Sequence, residues 1–478
     1  MERKRRKKAD PSVIRTRKHH FYLAVGAGTL LVLGLVINLF VPSRTFSENE
    51  NRSLAQRPAL TLSALTDGSF AQGFSDYYAD QFAARDGWTS LNYRLSRLLG
   101  QKDFSTVYAG KDGYLLGTPE TPDETALART IAAVNDFAAA YPDVEMNLMA
   151  VPDAAATLAD KLPKHAPVRD QRSDLAALYQ RMEGVGTIDA AAVLSTHASE
   201  DIYYKTDHHW TSYGAFLVFQ EAADRLGLDL SSVGYEPHTV SESFQGTLAS
   251  KSGDYSSRDT ITVYEPVGSD VKYYVNYTAT QTKVSSLFVP EKLEEKDQYT
   301  VFFGGNHPLV DIVTTANNGR RLLLFKDSYA NCFVQFLTPH YEEIVMVDPR
   351  YYYDDIASVM GSYGITDVLF LYSADTLFKD TALADTLEAG LAKLADGETA
   401  APAVQTEEVP EETSEEELSE EETGEEDAPE EDSEDEDSDD GDSDDGDSGE
   451  EEDSEEDEAD SEEDPSEEED SGEEESEE

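Results

Sequence analysis

From Thr399 to Glu478 the chain contains no Lys or Arg, yet this stretch holds 47 of its 99 acidic residues, mixed with Ser, Gly and Pro. Such a segment cannot bury enough apolar surface to offset its ordering entropy, and its charges repel one another. It is expected to be disordered, a solvating spacer. The run Asp439–Asp447 invites a calcium reading, but it lacks the terminal Glu and flanking helices of a calcium loop. The folding problem is confined to residues 1–398, where 52 acids face 37 bases. That near balance argues against binding a phosphate backbone, which needs clustered cations, so no nucleic acid partner is expected. The single cysteine, Cys332, excludes an internal disulfide and a cysteine-rich metal site.

The one dense basic cluster, Arg3 to Lys8 with Arg15, Arg17 and Lys18, is followed at once by the uncharged run from Phe21 to Val41. At about 1.5 Å per residue such a run spans a bilayer core. It is longer than the apolar region of a signal peptide and has no small-residue cleavage box after it. The expected organisation is a basic cytoplasmic segment (1–20), a transmembrane signal anchor (21–41) and a connector with a helical region (42–104). An α/β domain (105–398) and the acidic tail (399–478) complete it. The positive-inside rule puts the amino terminus in the cytoplasm and the rest outside the cell membrane.

Helical spacing runs from Phe70 to Leu99, with Asp80 to Asp86 as a locally paired acid–base face. A helix is predicted from Thr121 to Tyr141, ended by Pro142, and the Asp112-Gly113 step predicts a hairpin turn between Tyr108 and Leu115. Strands are predicted at Val144–Val151, Val185–Asp189, Tyr299–Phe303, Arg321–Phe325, Ile344–Asp348 and Asp367–Tyr372. Helical segments separate most of them, which implies a parallel sheet covered on both faces. Residues 233–289, rich in Thr, Tyr, Val and Ser, read as an antiparallel β-rich insertion, and Thr376–Leu394 as a closing helix.

Chemistry is concentrated in three strand-end loops. Ser328 follows a predicted strand and opens a predicted helix, Tyr329–Leu337, where backbone N–H groups gather; a helix cap is the plainer reading. A serine hydroxyl becomes a nucleophile when an imidazole takes its proton and a carboxylate orients that imidazole. Thr206-Asp207-His208-His209-Trp210-Thr211 offers the acid and two candidate bases, His208 and His209. Thr206, Asp207 and Thr211 could also cap a helix while Trp210 packs in the core. A metal site is disfavoured, because adjacent histidines rarely point at one ion and no second cluster is evident. In Phe302-Phe303-Gly304-Gly305-Asn306-His307-Pro308 the glycines allow close backbone approach, and Asn306 with Gly305 could donate to an oxyanion.

The motifs Thr-Asp-His-His-Trp-Thr (206–211), Gly-Gly-Asn-His-Pro (304–308) and Lys-Asp-Ser-Tyr-Ala-Asn (326–331) resemble the bacterial DHHW proteins, relatives of the alginate O-acetyltransferase group in the SGNH hydrolase superfamily. The likeness covers residues 46–375, including Glu50-Asn51-Arg52 and Asp80–Arg85. It implies a flavodoxin-like, SGNH-type three-layer sandwich with a parallel central sheet. It also implies Asp207 and His209 as the dyad, Ser328 as the nucleophile and Asn306 as the oxyanion residue. Lys326 stands where the superfamily has Gly; with Asp327 and Trp210 it is expected near the substrate. The implied activity is O-acyl transfer, most readily acetyl, to hydroxyls of a cell-surface polysaccharide through a serine acyl-enzyme. A polytopic membrane O-acyltransferase is the implied acyl donor, with no cofactor and no metal. An esterase of the same fold and a non-catalytic wall-polysaccharide binding or assembly subunit are the alternatives.

Overall fold

In the computed structural model residues 11–397 are described; the expected disorder of 399–478 lies outside them, as does the start of the basic segment. The architecture is mixed α/β around an eight-stranded sheet. In spatial order its strands are Thr282–Val284, Tyr273–Tyr277, Leu309–Thr314, Glu343–Val347, Arg321–Lys326, Asp367–Ser373, Glu145–Val151 and Gly186–Ile188. The last five are mutually parallel, and the first three join them antiparallel.

The strand Arg321–Lys326 explains why the sheet is buried on both faces. Its side chains alternate with period two: Leu322 and Leu324 join the core cluster that holds Trp210, Phe219 and Phe333. Leu323 and Phe325 join the opposite cluster, with Ile131, Val134 and Phe137 of the helix Glu124–Ala140. That helix begins at Glu124, three residues past the predicted Thr121, because the Asp123 carboxylate accepts the N–H groups of Thr125 and Ala126. The hairpin turn also forms as predicted, with positive φ at Asp112 and Gly113 and Tyr114 N–H returning to the Lys111 carbonyl.

Several elements depart from expectation. The closing helix predicted over Thr376–Leu394 is two, Ala374–Lys379 and Ala382–Asp396, and the helical run Phe70–Leu99 divides into Ser69–Asp80 and Arg85–Leu98. Residues 299–303 are not a strand: Gln298–Val301 is a 3-10 turn, Phe302 makes one isolated bridge to Phe288, and Phe303, Gly304 and Gly305 all have positive φ. The aromatic run is buried and therefore reads like a strand, but the left-handed run turns the chain; the strand begins after Pro308, at Leu309. The helix expected from Tyr329 to Leu337 is two short 3-10 turns, Ser328–Ala330 and Val334–Phe336. The β-rich insertion divides. Gly234–Phe244 and Asp259–Val267 pair with each other alone, whereas Tyr273–Tyr277 and Thr282–Val284 extend the main sheet.

The amino-terminal region is a helix, Pro11–Phe40, followed by a two-residue β ladder and the helices Leu62–Thr66, Ser69–Asp80 and Arg85–Leu98. The predicted paired acid–base face is a network across the chain. Arg52 grips Asp80 with two bonds of 2.9 and 2.6 Å, and Arg85 pairs with Glu50.

Candidate active site

The chain leaves the strand Glu145–Val151 toward Gly186–Ile188 on one side, and leaves Arg321–Lys326 toward Glu343–Val347 on the other. Such reversals open a crevice at the carboxyl ends of the strands. A cavity of about 320 Å³ lies there, and Asp153, Ser328, Arg350 and Ser373 all contribute to its lining.

Ser328 is presented by the 3-10 turn after its strand. Asp327 shapes that turn, accepting Tyr329 N–H at 2.9 Å through one oxygen and Ser373 N–H at 2.9 Å through the other. Opposite, the Thr206–Thr211 loop is drawn tight at its base by Thr211 N–H to the Ile202 carbonyl at 3.0 Å. Asp259 holds its shoulder by accepting Lys205 N–H at 2.7 Å and Thr206 N–H at 2.8 Å. Trp210 is fully buried and anchors the loop to the serine turn, its indole N–H donating to the Tyr329 carbonyl at 2.9 Å.

The two loops meet at hydrogen-bond distance. His209 Nε2 lies 2.7 Å from Ser328 Oγ, and His209 Nδ1 lies 2.6 Å from Asp207 Oδ1. Asp207 is secured by Thr247, whose N–H and hydroxyl donate to Oδ2 at 2.8 and 3.1 Å. Gly246 makes room for it, since a Cβ there would fall 2.2 Å from Asp207 Oδ2. The Tyr299 ring stacks on His209 at 3.9 Å between centroids, and its hydroxyl donates to the Ser328 carbonyl at 3.0 Å.

Protonation follows from burial and charge. Burial pushes the His209 imidazole down to about 4, with the neighbouring His208 adding to the effect and Asp207 opposing it. Neutral His209 can therefore accept the Ser328 proton at pH 7. Burial works against charge on Asp207 too, but the two histidines outweigh it and hold the carboxyl well below its ordinary value. His208 has a different place. Its Nδ1 is 2.8 Å from Thr247 Oγ1, and its side chain retains 42 % exposure. Burial lowers its affinity for a proton, but Asp207 more than compensates and holds it above its ordinary value. Ester turnover should keep an acid limb near pH 4. In His208→Gln, which removes the neighbouring positive charge, a pH profile of kcat/KM should show that limb at higher pH.

The donor atoms of Asp207, His208 and His209 lie within 4.8 Å of one another. Both ring nitrogens of His209 are engaged, so a cation at this trio would compete with the bonds to Asp207 and Ser328. Asn306 is bonded to residues on either side of the serine turn. Its carboxamide oxygen accepts Lys326 Nζ at 2.8 Å and Asn331 Nδ2 at 3.2 Å, and neither it nor Gly305 is among the residues lining the cavity at Ser328. Lys326 is buried, 3.4 Å from Asp348. Burial lowers its ammonium to about 8 against the pull of Asp348. Sequence reasoning passed over Thr247, Asp259, Tyr299 and Arg350, because a Thr after a Gly or a lone Tyr carries no spacing signal; only the fold brings them to the loop.

Fold and site together define an α/β protein with a hydrogen-bonded serine–histidine–aspartate group at the carboxyl edge of its parallel strands. Residues 121–347 match the family model of the DHHW proteins. Among solved structures it is similar to a DHHW family protein from Eubacterium siraeum, with 28% identity and a TM-score of 0.50 over 58% of this chain and 93% of that one. It is also similar to Bacillus cereus PatB1 in a structure with a sulfonyl adduct, with 22% identity and a TM-score of 0.49 over 57% and 96%. The O-acetyltransferase domain of Pseudomonas putida AlgJ matches with 16% identity and a TM-score of 0.37 over 61% and 99%. No curated protein sequence matches the chain.

Proposed function

We propose that this protein is an O-acyltransferase, with acetyl the acyl group, that modifies hydroxyls of a cell-surface polysaccharide through an acyl-enzyme on Ser328. The observation that carries the reading is the unbroken path from Asp207 through His209 to Ser328 Oγ at the edge of the cavity. His209 takes the serine proton as Oγ attacks the acyl carbonyl. The tetrahedral intermediate collapses, and His209 returns the proton to the leaving group. In the second half-reaction His209 deprotonates a sugar hydroxyl, which attacks the ester and frees Ser328. Arg350 lines the cavity and offers positive charge near developing oxyanions. The DHHW motif's resemblance to the alginate O-acetyltransferase group supports acetyl as the acyl class and the SGNH-type assignment of the sheet.

The apolar helix supports a single-pass anchor: Lys18–Asn38 is long and apolar enough to cross a bilayer. With the basic cluster before it, the site lies on the extracytoplasmic side, and a polytopic membrane O-acyltransferase is the proposed acyl donor. An esterase is the second reading, since water can attack the same acyl-enzyme. The test is to supply p-nitrophenyl acetate with and without an oligosaccharide acceptor and to analyse the glycan by mass spectrometry. Ser328-dependent O-acetylated oligosaccharide is the expected result, whereas release of acetate alone in both cases would establish the esterase.

A further inference from the structure

The helix Arg85–Leu98 is built inside out. Its inward face carries Tyr93, whose ring packs tilted against Phe104 at 4.6 Å between centroids, and the small Thr89, packed against Gly253. Its large apolar residues point away from the protein: Trp88 is 56% exposed, Leu91 43%, Leu95 50% and Leu98 83%, and Leu99 just beyond is 88% exposed. At about 100° per residue the four helical positions fall within roughly 80° of one another. They form one continuous stripe. The exposed side chains of large apolar residues elsewhere in 100–397 are few and scattered, namely Val267, Val284, Tyr351 and Tyr353 among the described residues. A contiguous stripe marks an interaction surface, where single exposed residues do not.

What covers the stripe is indicated by where the helix begins. Asn38, at the end of the apolar span, accepts Ala83 N–H at 2.7 Å through its side-chain oxygen. Arg44 and Gln81 exchange two bonds of 2.8 Å, and Arg44 pairs with Asp86 at 3.1 Å. The chain leaving the proposed anchor is thus stapled, within a few residues, to the turn from which the striped helix starts. A Trp at one end, leucines along the face and the exposed Arg94 beside them are what a helix lying in a bilayer interface requires.

We propose that the Trp88–Leu91–Leu95–Leu98 face lies in the headgroup–acyl boundary of the same bilayer that residues 21–41 cross. This rests on the anchor reading and adds a second, lateral attachment to it. The protein carries its own probe, because it has two tryptophans and the other, Trp210, is fully buried. Full-length protein is reconstituted into phospholipid vesicles whose acyl chains are brominated near the headgroup, and its emission is compared with that of Trp88→Phe. Quenching of roughly half or more of the Trp88 contribution is expected, with none of the residual Trp210 signal. In Leu91→Asp/Leu95→Asp the quenching should be lost while ester turnover stays within about twofold. Protein that resists carbonate extraction yet shows no Trp88 quenching would overturn the proposal and leave the anchor standing. Protein released by carbonate would overturn the anchor reading itself. A blue shift that depends on protein density without bromine quenching would assign the stripe to a second copy or another protein and overturn the lipid assignment.

Discussion

Ser328→Ala should reduce turnover of p-nitrophenyl acetate by about three orders of magnitude or more, with unfolding by urea unchanged. The serine hydroxyl is the one group positioned 2.7 Å from the His209 base, and no neighbouring side chain replaces it as a nucleophile at that place. His209→Ala should fall to a similar level, because without the imidazole Ser328 has no acceptor for its proton. The two losses should not add, since the residues act as one unit. Full turnover in either variant, measured under initial-rate conditions, would remove Ser328 from the mechanism.

The second large effect is on stability. Asp348 is fully buried and accepts Arg350 through two bonds of 2.8 and 2.6 Å while lying 3.4 Å from Lys326 Nζ. Asp348→Asn leaves a buried ammonium without its counter-ion, and a loss of about 3–5 kcal/mol in urea-unfolding free energy is expected. The loss has a pH signature. Burial holds the Lys326 ammonium at about 8, below its ordinary 10.5, so between those values the unfolded chain binds more protons than the folded one. Stability contributed at this site therefore rises with pH across that window. Without Asp348 the folded-state value falls further and the window widens downward, so the gap between the two proteins should narrow as pH rises toward about 8 and stay constant above it. A gap that does not change with pH would show that Lys326 is not the residue responsible.

The parallel strands were legible because each is a short apolar run bounded by turn residues, and Arg321–Lys326 alternates between two cores. The pair of loops carrying Asp207, His209 and Ser328 could be read because histidine is scarce in this chain, 9 in 478 residues, and two of them adjoin an Asp in one short motif. The segment 299–303 could not be read correctly. Its aromatic and β-branched residues are buried as a strand's would be, and only the backbone reversal at Phe303–Gly305 shows that it is a turn. For Asn306 the sequence indicates a polar group after a flexible loop. It does not indicate that Lys326, on the adjoining strand, takes up that group's oxygen. Thr247 was invisible for another reason: its partner Asp207 is 40 residues away, and no local pattern encodes such a contact.

The staple between His209 and Ser328 joins residues 119 positions apart, with the cavity's Asp153 and Ser373 lying still farther apart along the chain. Loops of that span close late, because their entropy must be surrendered before the contacts form. The Ser328–His209 contact thus forms only when the strands that carry the two loops are in register. A newly made chain lacks the Ser328–His209 contact until its last strand has docked, so that contact itself reports the completion of folding.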